Sequence, residues 1–175
     1  MHYYQESLFP SPKAHSPAQS YQLSCNALMA WKHKVAQFQQ QVLLRQPTPN
    51  PFTLPAQPME FFRLPQPHGG DACLYFVIDQ GSKIILYVGE TSRSDRRWQR
   101  EHDCKGYLEN YRHAHQAHNL PVQIICTFWW DTAPHRGDRQ KQEQQLIRQW
   151  LPPFNKENWK HWHTPFVNLA PSETS

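Results

Sequence analysis

C-L-Y-F-V-I-D at residues 73–79, Q-G-S at 80–82 and K-I-I-L-Y-V-G at 83–89 place two apolar, β-branched and aromatic runs about a short polar turn. Runs of this kind, bounded by turn residues, predict a β-hairpin. If the loop is the three residues Gln80–Ser82, Asp79 faces Lys83, and stepping back two residues at a time sets Tyr75 opposite Tyr87. Cross-strand neighbours have Cβ atoms about 5 Å apart, so the two phenols can converge on one ligand atom. The same pattern suits two ordinary strand aromatics, and a one-residue slip in register separates them onto opposite faces.

Downstream, Ser94 is placed to cap a helix through R-R-W-Q-R-E-H, and Gly106 separates it from a helical stretch Tyr107–His118 with Leu108, Tyr111 and Ala114 three apart. V-Q-I-I-C-T-F-W-W at 122–130 reads as a third strand, and Asp138–Trp150 as a further helix ended by Pro152 and Pro153. Upstream, Leu28, Trp31, Val35, Phe38 and Val42 recur at three and four, which predicts an amphipathic helix over 24–45. Its polar face is read as Lys32, His33 and Lys34. Seven prolines between Gln46 and Pro67 forbid helix interiors there, while Phe52, Leu54, Met59, Phe61, Phe62 and Leu64 suggest an extended arm packed across the main domain. Residues 1–20 read as a loosely draped tail. The expected organisation is an N-terminal tail, helix and proline-rich linker over 1–68, a dense domain over 69–160 and a C-terminal tail over 161–175. The expected fold class is α+β, with a central antiparallel sheet of about three strands flanked by helices.

The 175 residues include 16 prolines against 6 glycines and only 18% charged side chains, so a sizeable share is non-helical and non-sheet. No apolar run reaches 18 residues and no apolar leader follows the start, which argues against a membrane span and for a cytoplasmic protein. Cys25, Cys73, Cys104 and Cys126 lack C-x-x-C spacing and read as reduced, mostly buried thiols. The net charge of +4 barely argues for an anionic partner, but Arg93, Arg96, Arg97 and Arg100 cluster, as do Arg136, Arg139 and Lys141. Such clusters suit phosphate, or a solvated salt-bridged face where acids are interleaved. Glu143 lies three, four and seven positions before Leu146, Ile147 and Trp150, so it is the acid on the inward stripe, or at its edge. His113, His115 and His118 invite a zinc reading, but only His115 and His118 share a helix face. Trp129, Trp130, Trp159 and Trp162 suit base stacking or, more commonly, burial.

In order along residues 70–160, C-L-Y, Y-V-G-E-T, S-D-R-R-W-Q-R-E-H and E-Q-Q-L-I-R-Q-W-L-P-P-F-N resemble the GIY-YIG nuclease family. The first triplet lacks the family's glycine, and His102 follows Arg97 by five positions where four is usual. The resemblance implies a DNA endonuclease with one divalent ion, Mg²⁺ or Mn²⁺. It implies Glu143 as the metal ligand, Tyr75 or Tyr87 as general base, Arg97 or Arg96 at the phosphoryl oxygens and His102 as relay. Gly89, Arg96, Arg100 and Asn155 are the implied substrate or backbone contacts. Two alternatives are a module that keeps the fold and binds nucleic acid without cutting it, and a protein-interaction adaptor that uses the proline-rich arm.

Overall fold

The computed structural model describes residues 23–59, 71–92 and 103–167. The expected N-terminal tail, the Ser94–His102 helix with its arginines, and Phe61, Phe62 and Leu64 lie outside the described residues.

Helix α1 runs Cys25–Leu43, and the Ser24 hydroxyl caps it by accepting from the Ala27 N–H. Strands follow at Ala56–Pro58 (β1), Cys73–Asp79 (β2) and Ile84–Thr91 (β3), then α2 at Asp103–Ala117, β4 at Ile124–Trp129, α3 at Arg136–Trp150 and a short α4 at Trp159–Trp162. Helix α2 runs straight through Gly106, whose Cβ position is open, so the expected break there does not occur. Helix α3 closes at Leu151 in the left-handed region, with Pro152 and Pro153 barring continuation.

The sheet is antiparallel in the order β1-β4-β2-β3, with four strands rather than about three. The additional strand comes from the proline-rich arm. Ala56–Pro58 pairs with Ile125–Thr127 of β4 at the sheet edge, where a proline's missing N–H breaks no ladder on its outer side. Phe52 and Leu54 pack on the core beside it and Met59 is buried in it, as the apolar content of the arm predicts.

All seven β2 residues are buried, because helices cover both faces. Cys73, Tyr75 and Val77 pack with Leu28, Trp31 and Val35 of α1, with Leu108 and Tyr111 of α2, and with Phe154 and Phe166. Leu74, Phe76 and Ile78 face Leu146, Ile147 and Trp150 of α3 and Val42 of α1. Helix α1 thus passes from one layer to the other around the outer edge of β3. No described helix is long and apolar enough to cross a membrane.

Two polar residues of α1 are buried. Lys32, assigned above to the polar face, is only 7% exposed and lies 3.1 Å from Asp79. Gln39 is 1% exposed; its carbonyl accepts from the Ile85 N–H at 2.7 Å and its amide donates to the Ile85 carbonyl at 2.9 Å. An edge strand exposes a row of unpaired backbone groups. Here Gln39 fills that row at Ile85, the Phe154 N–H at the Leu86 carbonyl, and Asn155 at Val88.

Candidate active site

The hairpin register differs from the expected one in two places, which together move the pairing by two residues and so keep the two tyrosines on one face. The turn holds four residues, Gln80–Lys83, so Asp79 pairs with Ile84 rather than Lys83. That change alone would put Tyr75 and Tyr87 on opposite faces. A β-bulge then inserts Leu86, because Ile78 pairs with Ile85 but Val77 with Tyr87. Tyr75 consequently lies opposite Gly89, and Tyr87 is its diagonal neighbour on the same face. The ring centroids are 6.1 Å apart with the planes tilted by 33°. Tyr75 is fully buried and Tyr87 half-buried.

Gly89 has a steric reason to be glycine. A Cβ there would overlap the Tyr75 phenol and come within 2.8 Å of Tyr87 Cε1. The missing side chain is the space that the two rings occupy.

Glu143, half-buried on α3, meets the outer edge of β3 one residue further on, where its Oε1 accepts from the Glu90 N–H at 2.9 Å. Asn155, 4% exposed, accepts from the Val88 N–H at 3.0 Å and donates to the Val88 carbonyl at 2.9 Å. It pairs with the strand edge as another strand would. Asn155, Gly89 and Glu143 are therefore brought to three consecutive positions, 88 to 90, of one strand. Arg96, Arg97, Arg100 and His102 lie outside the described residues.

The cluster Arg136, Arg139 and Lys141 divides. Arg139 is 3% exposed and holds the Glu90 carboxylate at 3.1 Å, the Ser92 hydroxyl at 3.2 Å, and the carbonyls of Ala133 and Pro134. It ties the start of α3 to the end of β3 and so sets where Glu143 falls. Lys141 pairs with Asp138 at the surface, and exposed Arg136 stands 4.0 Å from Glu90.

A second polar cluster went unrecognised in the sequence. Asp79, 1% exposed, accepts from the Tyr111 hydroxyl at 2.7 Å and the Ser82 N–H at 3.2 Å, besides its pairing with Lys32. Burial alone would raise the Asp79 pKa, but the Lys32 charge and these hydrogen bonds outweigh it and hold the carboxyl below its ordinary range. Burial, then the Asp79 charge, pushes Tyr111 well up. Lys32 also lies 2.7 Å from His115 Nε2, while His115 Nδ1 meets the Tyr111 carbonyl at 2.7 Å. These contacts suit a neutral imidazole protonated at Nδ1. Burial, with Lys32 acting in the same sense, lowers the His115 pKa. His118 meets the Leu23 carbonyl. Both histidines therefore hold α1, and no group of three or more metal-binding side chains occurs among the described residues. The signal for Lys32 and Gln39 lay in their spacing, since 28, 32, 35, 39 and 42 form one helical stripe.

The thiols are free, with Cys73, Cys104 and Cys126 buried. Burial, with Glu90 nearby, pushes Cys73 up to about 12, which leaves it an inert packing group.

The fold is a small α+β domain in which two tyrosines lie over a strand glycine and a helix carboxylate meets the next residue of the same strand. The family model for the GIY-YIG catalytic domain matches residues 71–158, half of the chain, and the chain belongs to that family of nucleases. No curated protein and no solved structure matches the chain.

Proposed function

We propose that the chain is a metal-dependent DNA endonuclease that hydrolyses phosphodiester bonds at the end of β3, where Tyr75 and Tyr87 lie on one face and Glu143 meets the strand edge. The observation that carries this reading is the convergence on the end of β3. Gly89 lets two phenols lie together, and the neighbouring Glu90 N–H fixes the Glu143 carboxylate.

With Oε1 engaged by a backbone N–H, the Glu143 carboxylate is oriented, and its oxygen chemistry suits one Mg²⁺ or Mn²⁺ completed by water and phosphate oxygens rather than by a protein cage. Such an ion, when bound, would polarise the phosphate and stabilise the leaving oxygen. A phenol takes the proton of the attacking water, and its half-exposed position favours Tyr87 over the enclosed Tyr75, which orients it. Positive charge is needed beside a phenol whose ordinary pKa is about 10, and the sequence offers Arg96, Arg97 and Arg100 for this and for the phosphoryl charge, with His102 as relay. Asn155 acts through the strand, holding Val88 beside Gly89.

The test is nicking of supercoiled plasmid with Mg²⁺ or Mn²⁺, comparing wild type with Glu143→Gln. A glutamine carbonyl still accepts from the Glu90 N–H, so thermal stability should stay within about 1 kcal/mol of wild type while cleavage is lost. Cleavage abolished by the substitution and by chelator supports the assignment. DNA binding with no metal-dependent product in wild type would instead favour the reading of a binding module that has kept the fold.

A further inference from the structure

Arg139 and Glu143 are four apart on α3, so they lie one turn from each other on the inward stripe that continues to Leu146, Ile147 and Trp150. Both reach the same residue of β3. The Arg139 Nε donates to the Glu90 carboxylate at 3.1 Å, while the Glu90 backbone N–H donates to Glu143 Oε1 at 2.9 Å. Successive turns of one helix thus grip a single residue of the strand edge, the first by its side chain and the second by its main chain.

Two contacts on one residue fix what one cannot. Glu143 is only half-buried and has a long, rotamer-rich side chain, so packing by itself does not confine its carboxylate. A single N–H···O bond leaves the helix free to turn about it, and the ion pair one turn earlier removes that freedom. The Glu90 and Arg139 side chains are 7% and 4% exposed. The three Arg139 nitrogens meet four acceptors, the Glu90 carboxylate, the Ser92 hydroxyl and the carbonyls of Ala133 and Pro134, the last two in the loop that leads into α3. The guanidinium is therefore committed within the protein and is no phosphate ligand. A buried ion pair is weak evidence for stability, because neutral groups of similar volume often serve as well. A planar fork that joins a strand end, a loop and a helix serves geometry.

We propose that Arg139 and Glu90 are positioning residues for the cleavage reaction: their ion pair sets α3 along the edge of β3 so that the Glu143 carboxylate is held at the strand end, and opening the pair slows turnover without weakening DNA binding. This rests on the nuclease reading above.

The experiment compares wild type with Arg139→Met, Arg139→Lys and the double variant Glu90→Gln/Arg139→Met. Lys32→Met, whose partner Asp79 lies at the turn end of the hairpin, is the control for lost stability. The readouts are thermal melts, anisotropy of labelled DNA in chelator, cleavage at saturating DNA with Mn²⁺, and amide hydrogen exchange. Arg139→Met strands the Glu90 charge and should lose both stability and turnover. The double variant leaves no charge of the pair behind, so it should melt near wild type yet still cut about 10- to 100-fold more slowly. Its DNA binding should change less than about 3-fold, since neither side chain meets the substrate. Arg139→Lys, which keeps a charge for Glu90 but not the fork, should fall between. In the double variant the backbone amide at position 90 should exchange about 10-fold faster relative to that of Val88, which Asn155 holds independently. Wild-type cleavage together with a double variant that cuts at the wild-type rate, an exchange ratio that does not change, or a turnover loss that Lys32→Met reproduces, overturns the positioning proposal and leaves the nuclease reading standing. Neither binding nor cleavage of any DNA by wild type overturns the nuclease reading and the proposal with it.

Discussion

Replacing Lys32 by methionine keeps the length and the apolar stem of the side chain but leaves Asp79 without its cation. The pair is enclosed, with side-chain exposures of 9% and 1%. Removing one partner of a buried pair costs about 3–5 kcal/mol, because the other charge stays desolvated. The Tyr111 hydroxyl and the Ser82 N–H still serve the carboxylate, which places the expected loss near the lower end, about 3 kcal/mol. For a domain of this size that is a fall in Tm of about 6–12 °C. The loss has a defined pH dependence. In wild type the Asp79 pKa is lowered, so its contribution is present above the unfolded value of about 3.9 and fades as pH falls through the folded value. Without Lys32, burial prevails and the folded pKa rises above the unfolded one, so the variant recovers stability by protonating Asp79. The deficit should therefore be largest near pH 7 and smaller at pH 4.5, and adding Asp79→Asn should restore part of it at pH 7. Calorimetry at both pH values reads this directly, with Lys34→Met on the exposed face as control. The same deficit at both pH values, or a loss no larger than that of Lys34→Met, would refute the reasoning.

Gly89→Ala should destabilise by about 1–3 kcal/mol, because fully buried Tyr75 has nowhere to move; an unchanged melting curve would show that the rings do not fill that space. Asn155→Ala removes both partners of Val88 and should cost about 2–5 kcal/mol in urea unfolding, unless water enters the edge and the midpoint barely shifts. His115 has its folded pKa lowered, so the unfolded chain binds the extra proton and stability should fall as pH drops below about 6.5. The groups facing it are Lys32 on α1, Asp79 on β2, and Tyr111 and His118 on α2. His115→Gln, whose amide oxygen can still accept from Lys32, should flatten that slope between pH 6.5 and 5 in thermal melts.

The periodicities of single segments were legible in the sequence. Two continuous apolar runs about Gln80–Ser82 make a hairpin, and a 3-4 stripe from Leu28 to Val42 makes a helix with an apolar face, whatever surrounds them. The succession of these elements and the short motifs within them were enough for the family. Gly106 misled because propensity is a weak constraint, and Leu108, Tyr111 and Ala114 bury the helix that contains it. Ala56–Pro58 gave no strand signal, since its ordering comes from pairing with β4.

The tyrosine pairing shows most plainly where local reading ends. A three-residue loop in regular register and a four-residue turn followed by a bulge both leave Tyr75 and Tyr87 on one face, yet only the second puts Gly89 opposite Tyr75. Turn length and bulge depend on which register buries Ile84 and Leu86 on one side and Ile85 and Val88 on the other, and that requires both layers to be present. In the same way, the sequence by itself determined that Lys32, Gln39 and Asn155 were polar and that Glu143 lay on the α3 stripe. Only the tertiary structure decided that Lys32 would meet Asp79, that the two amides would close the open edge of β3, and that Glu143 would be held at Glu90. The physical reason is that a buried polar group is tolerable only with its partner in reach, and these partners lie dozens of residues away in the chain.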